Sequence, residues 1–487
     1  MDVVRRFQRP NAPALIVVSN REPFVHRQDH AGGVEVAAPA GGLTSALQPL
    51  LTASGGTWVA WGSGAADFSV TDATDGLRVP PEAPAYRLRR LRLSESEVRG
   101  FYVESANRAL WPVCHSQINR LVYEAEHWKT YRRVNERFAA AALAETRARE
   151  AIVWVQDYHL AYVPALLRGA SGLLVHQFWH IPWPPPDILR LLPPARSLIR
   201  GLLGNDLLVF QTKADCRNFF AAVRRFVPEG KVEPGHGRVR LGRTRTVVRA
   251  FPISIDVDAF ERAAARSDVA ELSRRIRREY LPEGGQLLLG VDRADYTKGI
   301  PRRFLAVDRL LQRHPELVGR VVLLQIAVPS RSEVPEYVAY EEEIAEIAQE
   351  VNSRYRRGSW QPVRLLRESQ DPTTLTAFYR AADVCVVSPL QDGMNLVAKE
   401  FVACQRDRLG ALVLSRFAGA VHEMRGAFLV NPYDVGAVAD AIHDAISTPP
   451  EERERRLVRM RQRLESNTIY DWMESIFAEV DRLRRSR

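Results

Sequence analysis

The sequence predicts an α/β protein of two successive, doubly wound domains facing across a cleft. Three observations carry that prediction. The chain has 487 residues, 46% of them hydrophobic, too many for a single core to be the default. Short apolar, β-branched runs alternate with helical patterns from one end to the other, as in parallel sheets covered on both faces. Runs such as 152–155, 287–291 and 383–387 each hand over to a short polar loop, at the strand ends where open α/β sheets bind ligands.

In chain order, residues 1–13 are expected to be loose. Residues 14–19 form a strand ending in Asn20-Arg21-Glu22-Pro23. A polar, glycine-rich loop is expected over 26–39, and Gly41-Gly42-Leu43 then opens a helix reaching Leu51. That glycine pair is neither a GxGxxG fingerprint nor a P-loop, yet it offers backbone N–H groups to phosphate oxygens. A strand at 58–61 follows. Residues 88–99 alternate apolar and basic, then turn helix-like at Ser94. Tyr102, Trp111 and His115, large rings with polar tips, precede a helix over 131–149. The strand 152–155 delivers Asp157, and a strand from 173 toward 178 delivers His180 beside the stiff run Pro182-Trp183-Pro184. Strands at 207–210 and 247–251 complete a first domain, 1–252.

The second domain is expected over 253–467. It opens with a helix at 257–278 and the uninterrupted strand 287–291, which ends in Asp292-Arg293-Ala294-Asp295-Tyr296-Thr297-Lys298-Gly299. Arg293 and Lys298 lie five residues apart across a turn, so both can meet one anion. A helix follows from Arg302, then a strand at 321–327 leading to Arg331, a helix at 338–354, a strand at 363–366 and a helix at 373–380. The strand 383–387 enters Asp392-Gly393-Met394-Asn395, and a helix runs from Leu396 to Ala403. Exposed N–H groups from Met394 to Val397 suit an anion, while Glu400, one turn in, suits sugar hydroxyls. Strands at 411–414 and 428–430 and helices at 435–446 and 451–466 follow. A closing amphipathic helix within 468–487 is left to pack on the first domain or on a second copy, so a homo-oligomer stays open.

Composition narrows the class. Cys114, Cys216, Cys385 and Cys404 show no metal spacing and sit among apolar or helical neighbours, as buried thiols of a reducing compartment do. No signal peptide or membrane-length apolar run is present, so a cytoplasmic protein without a membrane partner is expected. The net charge of +10 comes from scattered arginines often set beside acids, not from a nucleic-acid stripe. A clamped diphosphate with a hydroxyl-binding carboxylate suits a nucleotide sugar, and a diphosphate leaving group needs positive charge as the sugar bond breaks.

These motifs together resemble the trehalose-6-phosphate synthases, retaining glycosyltransferases with two Rossmann-like domains in the GT-B arrangement. The matching pieces are Ser19-Asn20-Arg21, Gly41-Gly42-Leu43, the stretch 102–115, the stretch 154–158, His180-Ile181-Pro182, Phe251-Pro252-Ile253, the stretch 290–299, the stretch 392–400 and Asn431-Pro432. The resemblance implies glucose transfer from UDP-, GDP- or ADP-glucose to glucose 6-phosphate. It implies His180, Asp157, Arg293 and Lys298 as the catalytic group. Gly42, Arg293, Lys298, Asp392, Gly393, Met394, Asn395, Leu396, Val397 and Glu400 would bind the donor. Arg21, Tyr102, Trp111, Asp157 and Arg331 would bind the acceptor. Reaction would proceed by front-face attack, the leaving phosphate taking the acceptor proton, with no metal and no cofactor. Gln391 and Arg416 depart from the family pattern. The Arg21-Glu22-Pro23 run is similar to the glucosylglycerol-phosphate synthases, which keeps glycerol 3-phosphate as the alternative acceptor.

Overall fold

The computed structural model describes residues 2–7, 12–28, 32–37, 42–147, 150–407 and 409–486. It divides into two compact units, 1–252 with 470–487 and 253–469.

The first unit holds β1 (Ala14–Ser19), β2 (Val25–Gln28), β3 (Val34–Ala37), β4 (Thr57–Trp61), β5 (Gly76–Val79), β6 (Tyr86–Leu91), β7 (Ala151–Gln156), β8 (Leu173–Phe178), β9 (Leu207–Phe210), β10 (Lys231–Glu233), β11 (Arg238–Leu241) and β12 (Thr244–Ala250). Its main sheet runs β10-β11-β12-β9-β8-β7-β1-β4-β6-β5. The strands from β12 to β6 in that order are parallel, with antiparallel pairs at both edges. Chain order reverses between β1 and β7, so the loops after these two strands open on one crevice. β1, β7 and β8 lie at the centre, and Ile16, Val17, Val18, Val153, Trp154 and Val155 are completely or almost completely buried.

Two expectations for this unit need correction. Residues 2–7 form a helix, not a loose arm. Phe7 sets its ring edge-on to Phe477 at 5.3 Å, and Arg6 pairs with Asp481 at 3.0 Å and with Glu474. Tertiary docking thus orders a segment that has little helical signal of its own. Within 26–39, β2 and β3 pair as an antiparallel hairpin in place of a loop. Alternation in Val34-Glu35-Val36 is the short-range sign of that strand.

The closing helix, Ile469–Arg485, packs on the first sheet. Trp472 and Phe477 meet Trp154 at 5.6 and 5.5 Å, and the Trp472 indole N–H donates to the Phe251 carbonyl at 3.2 Å.

The second unit holds β13 (Gln286–Arg293), β14 (Val321–Val328), β15 (Val363–Leu366), β16 (Val384–Val387), β17 (Ala411–Ser415) and β18 (Phe428–Val430), paired in the order β15-β14-β13-β16-β17-β18 and all parallel. Renumbered from one, that is 3-2-1-4-5-6, with its switch point between β13 and β16. The expected single helix over 257–278 is two, Val257–Ala264 and Ser267–Tyr280, each with its own start. Asp256 accepts from the Ala259 amide at 2.9 Å to begin the first. The helix expected from Arg302 begins at Ile300, because Gly299 turns the chain with φ +66° and Pro301 suits a first turn. A side chain at Gly299 would lie 2.8 Å from the Ser388 carbonyl, so glycine is required there twice over. Among the described residues no helix is long and apolar enough to cross a membrane.

Candidate active site

Many of the residues singled out in the sequence lie at or just after the carboxyl ends of strands, whereas Tyr102, Trp111 and Glu400 lie in helical segments and Gly42 opens a helix.

In the second unit, Arg293 closes β13 and Lys298 follows in a single 3-10 turn. Between them sits Asp295, which is completely buried. Its carboxylate holds Arg331 at 3.2 Å and Arg293 at 3.7 Å. Burial would raise this acid, but Arg331, Arg293 and Lys298 outweigh it and hold the pKa at about 2. One anion therefore steers two guanidinium groups. Arg331 is deeply buried and also bonded to the Tyr337 hydroxyl, whereas the Arg293 side chain is 38% exposed. Arg293 is the cation presented to solvent.

Across the switch point, Asp392 takes the Lys298 ammonium at 2.6 Å and the Asn395 amide at 3.1 Å. Asn395, at φ +79°, caps the helix Leu396–Ala403 by accepting from the Ala398 amide at 3.2 Å. The side chains of Asp392 and Asn395 are thus engaged in the loop, and the first-turn N–H groups of Leu396 and Val397 have no intrahelical carbonyl to bond. The loop is braced from β17. The Gly419 amide donates to the Asp392 carbonyl at 3.1 Å and the Ala420 amide to the Met394 carbonyl at 2.8 Å. A side chain at Gly419 would lie 2.0 Å from the Gly393 carbonyl. Glu400 lies one turn deeper, where desolvation raises its pKa and the Tyr379 hydroxyl donates to Oε2 at 2.7 Å, pulling the other way.

In the first unit, Asp157 follows β7 in an unusual backbone conformation, φ +67°. Its Oδ1 accepts from the His180 amide at 3.1 Å. The His180 imidazole contacts Gln156 Oε1 through Nε2 at 2.8 Å, and desolvation pushes its pKa down to about 3. It is a neutral ring near pH 7. Tyr102 belongs to a wide helical segment, Arg99–Leu110, wound with i→i+5 bonds of the kind that recur at functional sites. Its ring stacks on His159 at 5.8 Å and meets Trp61 at 5.7 Å. Trp111 is buried against His115 and Tyr158.

Arg21 is exposed at the end of β1, and its loop is anchored by the next residue. Glu22 turns inward onto the fully buried Arg90 at 2.7 Å. Arg90 also meets Asp67 at 3.0 Å and His26 Nδ1 at 2.8 Å. Burial, together with the neighbouring Asp67, pushes Glu22 up to about 8, despite Arg90. Two carboxylates share one guanidinium, so one of them keeps its proton. Gly42 opens the helix Gly42–Ser54, and Gly41 lies outside the described residues.

The structure thus joins Asp157 to His180, and Arg293, Lys298 and Arg331 around Asp295 and Asp392. Of the expected acceptor group, Arg331 stands in the second unit and Arg21, Tyr102, Trp111 and Asp157 in the first. Sequence reasoning missed Asp295, Tyr337, Tyr379, Gln156, Gly419 and Trp61. Asp295 and Gln156 sit inside strand-end runs that were already suspect. Trp61 ends β4, the neighbour of β1, and strand-end position was its signal. Tyr379 and Tyr337 lie inside helices and carried none.

The model of glycosyltransferase family 20 matches residues 13–482. A trehalose-6-phosphate synthase of Mycobacterium marinum is 39% identical over 480 residues, covering 97% of this chain and 94% of the relative. A bifunctional trehalose-6-phosphate synthase/phosphatase of Thermoproteus tenax is 38% identical over 94% of this chain, which spans 62% of that longer relative. Among solved structures, the α,α-trehalose-phosphate synthase (UDP-forming) of Burkholderia xenovorans in complex with glucose-6-phosphate superposes with a TM-score of 0.85 at 30% identity, covering 96% of this chain and all of that one. The two Rossmann-like units are those of the GT-B fold.

Proposed function

The chain belongs to glycosyltransferase family 20, and from that premise we propose that it moves glucose from a nucleotide-glucose donor onto glucose 6-phosphate, yielding α,α-trehalose 6-phosphate and a nucleoside diphosphate. The observation that carries the reading is the end of β13: Arg293 and Lys298 beside the N-terminus of the helix Leu396–Ala403. Two cations and a helix start form a clamp for a diphosphate. In this reading Asp392 to Val397 and Gly42 hold the donor's sugar and phosphates, and Glu400 takes the ribose hydroxyls. Arg21, Tyr102 and Arg331 take the acceptor phosphate, and Trp111 packs on the acceptor sugar.

As transfer proceeds, the bond from the anomeric carbon to phosphate breaks and its electron pair passes to the diphosphate. Arg293 and Lys298 stabilise the charge that grows there. The acceptor hydroxyl bonds to the same face of the sugar, and its proton passes to the departing phosphate oxygen. His180, neutral down to about pH 3, orients the donor glucose without supplying a proton. The Asp157 carboxylate, tied to the His180 amide, positions the acceptor hydroxyl. Catalysis by this route rests on position and charge. Glu22 is turned inward onto Arg90, so it shapes the Arg21 loop without reaching substrate. That weakens the case for glycerol 3-phosphate built on the Glu22-Pro23 run.

The test is a donor-by-acceptor matrix. UDP-, GDP- and ADP-glucose are crossed with glucose 6-phosphate and glycerol 3-phosphate, and released nucleotide and sugar product are followed together. The Burkholderia relative is UDP-forming, which makes UDP-glucose the first donor to try. Transfer to glucose 6-phosphate is expected, and transfer only to glycerol 3-phosphate overturns the reading.

A further inference from the structure

The spacing of cysteines and histidines along the chain gives no sign of a metal site, but the fold of the second unit makes a candidate. His314 follows the helix Ile300–Arg313, its amide donating to the Leu310 carbonyl at 2.9 Å. Glu316 lies in the next turn. His443 comes from the helix Val435–Ser447, far away in sequence. The two imidazoles stack at 3.7 Å with their planes only 7° apart, and Glu316 Oε1 lies 3.3 Å from Nδ1 of His314. One ligand atom from each of the three lies within 4.8 Å of the others. Bonds of 2.0–2.1 Å in a tetrahedral zinc site put ligand atoms about 3.3 Å apart, so closing the set takes a shift of up to about 1.5 Å together with rotation of the imidazoles out of their stacked arrangement, until both ring planes meet at the ion.

The local charge favours a cation. Arg313, next to His314, is bonded to Asp440 on the facing helix and so is neutralised. Metal ligation takes imidazoles in the neutral form, and Glu316 supplies the set's one carboxylate. The Ser447 hydroxyl lies 3.5 Å from Nε2 of His443 and gives that ring an outer partner.

We propose that His314, Glu316 and His443 form a divalent transition-metal site, with zinc as its natural class, that clips the end of the helix Ile300–Arg313 to the helix Val435–Ser447. Two imidazoles and a carboxylate suit a borderline ion such as zinc or cobalt(II), not calcium or magnesium. The helix it clips runs directly from the Lys298–Gly299 turn. The ion is far from that turn, about 20 Å along a helix of this length, and takes no part in transfer. Its role is to stiffen the helix that follows the Lys298 turn.

The experiment uses tag-free, chelator-treated full-length chain. Zinc is titrated calorimetrically, and cobalt(II) is followed by its visible absorption. The expected result is one ion per chain, with affinity at least a hundredfold weaker in His443→Ala and His443→Asn and about tenfold weaker in Glu316→Gln. The thermal midpoint of the wild-type chain should rise by about 5 °C at a hundredfold excess of zinc over its dissociation constant, and that rise should vanish in His443→Asn. Glucosyl transfer in metal-free buffer should be the same for wild type and variants, which doubles as the folding control. Absence of saturable binding in wild type, or full-affinity binding in a His314→Ala/His443→Ala chain, overturns the proposal.

Discussion

Replacing Lys298 by alanine tests the donor clamp most directly. Two effects can be separated. The Lys298 ammonium lies 2.6 Å from Asp392 Oδ2, and both side chains are largely shielded, at 13% and 14% exposure. Its loss leaves Asp392 with the Asn395 amide at 3.1 Å, a folding cost of about 1–3 kcal/mol. In the transition state the same deletion removes a preorganised cation from the growing phosphate charge, which is worth about 2.7–4 kcal/mol, or a 10²–10³-fold fall in kcat. The assay is initial-rate release of nucleoside diphosphate with donor and acceptor saturating, beside a denaturation curve and a nucleotide-binding isotherm. Lys298→Arg, which keeps the charge, should recover roughly tenfold of the loss, about 1.4 kcal/mol. A Lys298→Ala enzyme that is fully folded and turns over within threefold of wild type would refute charge stabilisation by this residue.

Four further outcomes are expected. Arg331→Ala should raise KM for the phosphorylated acceptor roughly ten- to a hundredfold, the 1.5–3 kcal/mol of a charged hydrogen bond; an equal loss with an unphosphorylated acceptor counts against that role. Tyr379→Phe frees one oxygen of Glu400 and should raise KM for the nucleotide sugar about fivefold, near 1 kcal/mol, with kcat unchanged; a fall in kcat alone contradicts it. Glu22 has a folded pKa of about 8 against an ordinary 4.5, so between those values the folded chain keeps a proton that the unfolded chain has released. Stability should therefore fall as pH rises from 4.5 to 8, by at most about 1.4 kcal/mol per pH unit from this group, and Glu22→Gln should flatten the slope; an unchanged slope in urea titrations refutes the shared proton. His180 titrates near pH 3, so it should add no limb to kcat/KM between pH 5 and 8. A limb in that range that disappears in His180→Gln would show the ring to be more basic than its burial implies.

Much of this was legible in the chain itself. Runs such as Leu287-Leu288-Leu289 and Val384-Cys385-Val386-Val387 are buried on both faces, so they read as parallel strands without help from the structure. The polar residues at their ends had to fall at ligand-binding edges, because strand alternation with helices puts every such loop on one side of a sheet. Arg293, Lys298, Asp157 and His180 stand out in that way, and each lies at or just after a strand end. The hairpin of β2 and β3 and the helix at 2–7 do not. The helix depends on the distant Phe477 and Asp481, which no local window contains, whereas the hairpin pairs residues at most twelve apart and its strands are only four residues long, a weak local signal.

Sequence alone, then, determined the fold class, the strand-end candidates and the resemblance, because hydrophobic period and loop chemistry are local properties. Tertiary structure alone decided how those candidates are held. Asp295 steers Arg293 and Arg331, burial keeps His180 neutral while Gln156 contacts its ring, Arg90 pulls Glu22 away from the surface, and His443 meets His314 from a distant helix. Each of these pairs joins residues whose chemistry depends on distance and desolvation. Both quantities arise only once the chain has closed on itself, and neither leaves a trace in spacing along the sequence.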